Sequence, residues 1–302
     1  MAKKILITGA SGLIGSRLTD LLLARGHEVA HLGRSKRGGK VPSFVWDVTR
    51  GTVDAAAFQG VDTIIHLAGA GIADRRWTPQ RKEEIRDSRI ASTRLLFQFL
   101  KNNSHTVKAV LSASAIGYYG FDEVDQILSE EDAAGTDFLA MVTRDWEREV
   151  DTLADLQLRV VKLRIGIVLS QGGGALPALC RTVQWGVGAA LGTGRQMISW
   201  IHADDLCGMF IHALDDERMQ GAYNAVTDWC TNAEMTRAIA NVLRKPLWLP
   251  NVPSMVMQLL LGEMAALVLT GNRISSAKIR QTGFQPHFTA LENTLQNLLR
   301  PS

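Results

Sequence analysis

Apolar and polar residues along this chain follow two periods in turn. Lys4 to Thr8 is a short apolar run ending at Gly9, and from Leu13 to Leu23 apolar residues recur every three to four positions until Gly26. A continuous apolar run reads as a buried strand, and a 3.6-residue period as a helix with one apolar face, closed by glycine. Further strands are predicted at Glu28 to Leu32, Phe44 to Trp46, Thr63 to Leu67, Val107 to Ala113 and Arg159 to Leu163. Helices are predicted from Thr78-Pro79, a good cap and first-turn pair, to about Lys101, and from Thr136 to about Asp155.

Strands alternating with helices make an α/β protein with a doubly wound, Rossmann-type parallel sheet over residues 1–170. Gly172 to Gly174, followed by Gly186, Gly188, Gly192 and Gly194, reads as loop rather than core. A smaller, mixed C-terminal substrate-side domain is therefore expected over 171–302, with segments near 200–230 returning to the sheet. Helices are predicted at Asp204 to Leu214, Asn232 to Leu243 and Thr289 to Leu299, and a strand at Ala222 to Ala225. Val252 to Thr270 is largely apolar, but Pro253, Gly262 and Glu263 interrupt it. That pattern predicts two short helices, buried or subunit-facing, and no membrane span.

Composition narrows the class. With 46% hydrophobic and 21% charged residues in 302, the chain is an ordinary globular protein long enough to bury a core without metal or disulfide. Cys180, Cys207 and Cys230 form no CxxC pair, so they are expected to be reduced packing residues in a cytoplasmic protein. A net charge of +3 is too mild to imply a nucleic-acid partner. Neither nucleic acid nor membrane is an expected partner.

The chemistry begins at the first turn. Gly9, Gly12 and Gly15 are spaced GxxGxxG between a strand and a helix, with Ser11, Leu13 and Ile14 between and beside them. Glycine there permits a tight turn, close approach of backbone to a pyrophosphate, and packing of helix on strand, while the helix N-terminus attracts the anion. At the end of the second strand an NAD site would carry a carboxylate for the ribose hydroxyls. This chain has Arg34, Ser35, Lys36 and Arg37 instead, suited to a 2′-phosphate, so NADP(H) is expected over NAD(H).

TGASGLIG at the first turn, Asp47, HLAG at His66 to Gly69 and SASAIGYYG at Ser112 to Gly120 together resemble the extended short-chain dehydrogenase/reductase superfamily. RIGIV at Arg164 to Val168, WIHADD at Trp200 to Asp205 and GAYNAV at Gly221 to Val226 extend the likeness over nearly the whole chain. IADRRWTPQRK, LGTGRQ and the helical tail resemble an atypical "epimerase family" group of NAD(P)-dependent epimerase/dehydratase type, with a C-terminal domain of unknown function and an unassigned substrate. The resemblance implies cofactor contacts at Gly9, Ser11, Gly12, Leu13, Ile14 and Gly15 for the pyrophosphate, and Arg34 with Ser35 for the adenosine phosphate. It places Asp47 and Val48 near adenine, Leu67, Ala68 and Gly69 on the ribose side, and Ile165, Gly166 and Val168 near the nicotinamide.

One departure matters for the reaction. The superfamily uses a tyrosine, a lysine four residues later and a serine or threonine hydroxyl. Aligned on Trp146-Glu147, the tyrosine position holds Leu139 and the lysine position Thr143. Ser114 matches the hydroxyl, and Tyr118 and Tyr119 follow it as substrate contacts, as an acid/base group or as packing. Trp77, Arg86, Arg195 and Trp200 are candidate substrate-side residues, and no metal site is expected. Two functions stay open: an NADP(H)-dependent oxidoreductase or isomerase of epimerase type, acting on a small or sugar-like molecule, and a non-catalytic NADP(H)-binding redox sensor. Outer-face helices leave room for a homodimer without fixing a count.

Overall fold

The computed structural model describes residues 2–121 and 125–300. Its main sheet is built from β1 (Lys4–Thr8), β2 (Glu28–Gly33), β3 (Ser43–Asp47), β4 (Thr52–Val53), β5 (Thr63–His66) and β6 (Ala109–Ala115). After the short β7 (Ile127–Leu128), β8 (Arg159–Ile165) also joins it. β9 (Ile167–Leu169) and β10 (Met197–His202) leave for a second sheet, and β11 (Gly221–Ala225) returns to the first. The main order is β11-β8-β6-β5-β1-β2-β3-β4, parallel except for the antiparallel β3–β4 pair. Strand order reverses beside β1, and that switch point is where α/β sheets bind ligands.

Helices cover both faces, as continuous apolar parallel strands require. α1 (Leu13–Ala24) meets α5 (Ala203–Asp215) on one face, where Leu18, Leu22, Cys207 and Phe210 share a core with Ile5 and Ile7. On the other, α2 (Pro79–Asn102) and α3 (Phe138–Asp151) bury Leu96 and Trp146 against Leu6, Ile64 and Val110. Thr78 caps α2 by accepting from Arg81 N, and Asp137 caps α3 by accepting from Leu139 N and Ala140 N.

β9, β10 and β12 (Asp228–Thr231) form the second sheet. It shares a third core with α4 (Leu176–Gln184), α6 (Asn232–Leu243) and α10 (Leu291–Leu299). The glycine-rich stretch is thus not all loop: Leu176, Cys180 and Val183 form a buried face on α4. Between α6 and α10 lie α7 (Ser254–Leu261), α8 (Ala266–Leu269), β13 (Arg273–Ile274) and α9 (Ala277–Gln281). The two short helices are present, and neither α7 nor α8 has a buried residue, so of the two expected settings burial within the chain does not hold. Among the described residues no helix is long and apolar enough to cross a membrane. All three cysteines are free and buried, and burial pushes their thiol pKa values up to about 11 for Cys180 and about 12 for Cys207 and Cys230.

The WIHADD segment ties this lobe to the sheet. His202 caps α5 and stacks on Phe288, Asp204 pairs with Arg17 of α1, and the buried Asp205 accepts from His287 N and Phe288 N.

Candidate functional site

The turn after β1 meets the requirements of a dinucleotide cradle. Gly9 has φ +66°, and a Cβ there would lie 2.7 Å from the Leu67 carbonyl carbon and oxygen. One on Gly15 would lie 2.6 Å from Ala10 Cα, so the helix packs on the turn only because that side chain is absent. Gly12, the cap residue of α1, supplies no side-chain acceptor to the first-turn amides, which leaves them for an anion. Ser11 and Gly12 are exposed, and Leu13 and Ile14 half-buried beside them.

Arg34 and Ser35 follow Gly33 at the end of β2 and are exposed. The Asp47 carboxylate closes its own turn, accepting from Thr49 N, Thr49 Oγ1 and Arg50 N, bonds that hold its pKa below the usual range. Val48 packs half-buried on the α2–α3 core. β5 ends at His66, and Leu67, Ala68 and Gly69 follow it. Leu67 N and Ala68 N donate to Thr8 Oγ1, which contacts His66 Nδ1 at 2.7 Å, while His66 Nε2 meets Thr93 Oγ1 at 3.1 Å. His66 is fully buried, and desolvation lowers its pKa to about 4, so it is a neutral structural link. Gly69 lies against Arg89 of α2, whose guanidinium also stands over the Trp146 ring.

Three strands place polar side chains in one row. Ser114 on β6 pairs in register with Arg164 on β8, and Arg164 with Asn224 on β11. Register neighbours point to the same face, so the three side chains stand side by side under α3. From α3, Glu147 accepts from Ser114 Oγ at 2.6 Å and from Arg164 Nε and Nη2 at 2.8 and 2.9 Å. Burial pushes the Glu147 pKa up, but the bonds and charge of Arg164 outweigh it and hold the carboxyl below its usual range. Tyr119, on the short helical turn Ile116–Tyr119, donates to Asn224 Oδ1 at 2.7 Å and accepts from Arg164 Nη1 at 3.0 Å. Burial raises its pKa to about 12 against the lowering effect of Arg164.

Tyr118 differs from its neighbour. Its ring is half-buried with the Arg164 guanidinium carbon 3.5 Å from the centroid, and its hydroxyl makes no hydrogen bond among the described residues. Leu139 and Thr143 face the same turn, both within 4 Å of a Cβ built on Gly117. The Thr143 hydroxyl donates to its own helix at Leu139 O.

The remaining nominees scatter. Trp77 is buried, donates Nε1 to Ile72 O and meets Phe138 edge-on. Arg86 lies in an outer cleft between α2 and α3 of about 370 Å³, beside Asp145, Arg94 and Glu149, not beside Trp77. Arg195 is exposed, whereas Trp200 is 1% exposed inside the second-sheet core. Ile165, Gly166 and Val168 carry the chain from the first sheet to the second. A Cβ on Gly166 would come within 2.7 Å of Ser199 O. Sequence reasoning had not given Glu147, Arg164, Asn224 or Arg89 a site role. The available signal was a charged residue inside an apolar strand (Arg164) and an acid on the apolar face of α3 (Glu147).

The NAD dependent epimerase/dehydratase family model matches residues 5–226, and that of a domain of unknown function, DUF1731, matches 252–298. An epimerase family protein, SDR39U1 homolog, of Arabidopsis thaliana is 33% identical over 304 residues, 97% of this chain and 86% of that one. An epimerase family protein of Mycobacterium tuberculosis is 35% identical over 293 residues, 96% of each. Human epimerase family protein SDR39U1 (isoform 2), crystallised with NADPH, superposes with a TM-score of 0.87 at 29% identity, covering 99% of this chain and 100% of that one. The chain belongs to the NAD dependent epimerase/dehydratase family.

Proposed function

We propose that this protein binds NADPH and reduces a small or sugar-like carbonyl compound, with Tyr118 as the hydroxyl that faces the substrate. Gly9, Gly12 and Gly15 cradle the pyrophosphate and Arg34 with Ser35 holds the 2′-phosphate. The human relative crystallised with NADPH supports that cofactor. Bound NADPH supplies a hydride. The observation that carries the reading is the contrast between adjacent tyrosines: Tyr119 is committed to Asn224 and Arg164, while the Tyr118 hydroxyl makes no hydrogen bond among the described residues. Tyr118 sits at the carboxyl end of β6, the edge where such sheets bind ligands. Its task is to donate a proton or a hydrogen bond to the substrate oxygen.

Ser114 supports a second reading. Its hydroxyl hydrogen is held by Glu147, and neither Leu139 nor Thr143 supplies a Tyr-Lys pair. A protein that binds NADPH without turnover and reports the redox state to a partner fits that arrangement.

The test is NADPH oxidation with a panel of aldehydes, ketones and nucleotide sugars. Turnover that Tyr118→Phe lowers at least tenfold, while Tyr119→Phe acts through stability, supports the reductase. Tight NADPH binding with no turnover on any compound supports the sensor.

A further inference from the structure

The C-terminal lobe carries large exposed apolar side chains on two paired segments and on the helix that follows them. Trp185 and Val187 lie on the strap after α4, and Leu247 and Trp248 on the segment beside it. Trp248 Nε1 donates to Gly186 O, and Leu191 bridges Val252 in parallel, so the two segments form one surface. α7 continues it. Met255, Val256, Leu259 and Leu260 are spaced i, i+1, i+4, i+5 and share one side of that helix, with Met255 and Leu259 each 78% exposed. Monomeric proteins rarely leave so many large apolar side chains bare without a binding role.

Charge identifies what fits. Residues 176–201 and 243–262, which carry the whole face, contain no Asp or Glu, whereas Arg181, Arg195, Arg244 and Lys245 are present and exposed. A symmetric contact with a second copy would bring these cations together, whereas an anionic bilayer complements them. Two exposed tryptophans suit the headgroup region, where indole rings accumulate. α7, about 12 Å long at 1.5 Å per residue, is far too short to span and would lie in the plane of the interface.

We propose that this face docks the protein peripherally on an anionic lipid surface, with α7 and Trp185 and Trp248 in the headgroup layer and Arg244 and Lys245 on the phosphates. This peripheral contact departs from the sequence-based expectation of no membrane partner.

Flotation with vesicles tests it directly. The protein should float with phosphatidylcholine vesicles containing phosphatidylserine at least tenfold more than with phosphatidylcholine alone, and high salt should release it. Tryptophan emission should move to the blue and be quenched by brominated lipid, and Trp185→Phe with Trp248→Phe should lose both effects. Met255→Ser with Leu259→Ser should weaken binding to anionic vesicles at least tenfold. Arg244→Ser with Lys245→Ser should remove the preference for anionic lipid, with melting temperature unchanged. No flotation with anionic vesicles, or equal flotation with neutral ones, overturns the proposal. So does a wild-type dimer that Met255→Ser with Leu259→Ser converts to monomer, which would assign the face to a second copy.

Discussion

Ser114 and Glu147 share a 2.6 Å hydrogen bond inside the protein, and the same carboxylate grips Arg164 through two nitrogens. The Ser114 hydroxyl, which the family resemblance alone matched to a substrate-holding position, is therefore part of a buried ion-pair network. Breaking such a pair by removing one partner leaves the other charge uncompensated, at a cost of about 3–5 kcal/mol. Glu147→Gln should lower stability by about that much, measured by denaturant unfolding. It should also flatten the acid limb of the stability profile. Because the folded pKa is depressed, the Glu147 contribution is complete above about pH 4.3 and is lost as pH falls through the folded value.

His66 predicts a second, separate pH window. Its folded pKa is about 4 and its unfolded value about 6.5, so the unfolded chain takes up a proton first as pH falls. Stability should be complete above pH 6.5 and decline by about 3 kcal/mol in all by pH 4. His66→Gln should remove this slope, as read from thermal unfolding at half-unit pH steps.

The two tyrosines should separate in stability as well as in activity. Tyr119→Phe strands an Arg164 N–H and the Asn224 oxygen in the interior and should cost about 1–3 kcal/mol. Tyr118→Phe keeps the ring beneath Arg164 and should stay within about 0.5 kcal/mol of the parent. Calorimetric melting of both variants checks the order.

Gly9→Ala combines a left-handed φ with a 2.7 Å approach to the Leu67 carbonyl. It should cost about 1–3 kcal/mol in stability and also reduce NADPH affinity, because the turn that strains is the one that cradles the pyrophosphate. Parallel unfolding and NADPH titration curves measure the two losses.

The sheet domain was legible because its strands and helices each carry a clean period and the turns between them carry their own punctuation. β6 shows the limit: the apolar run suggested Val107 to Ala113, whereas the strand is Ala109–Ala115. That shift places Ser114 within the strand, in register with Arg164. The network around it was not legible, since Glu147, Arg164 and Asn224 are far apart in the chain and meet only through strand register and α3 packing. β9 and β12, of three and four residues, are too short to carry a period of their own, and they join a sheet only through β10, so their pairing is a tertiary outcome. Trp200 shows the same limit: Ser199, Trp200, Ile201 and His202 are all buried, so the strand has no polar face to mark which side is core and which is pocket wall.

Calorimetric titration of NADPH and NADH into the wild-type protein and Arg34→Ala tests the cofactor assignment on which the whole functional reading rests. A 2′-phosphate held by charge-assisted bonds predicts wild-type affinity for NADPH at least about tenfold above NADH, with Arg34→Ala removing most of the difference and leaving NADH binding nearly unchanged. Equal affinities in the wild type, or equal losses for both dinucleotides in Arg34→Ala, would contradict it.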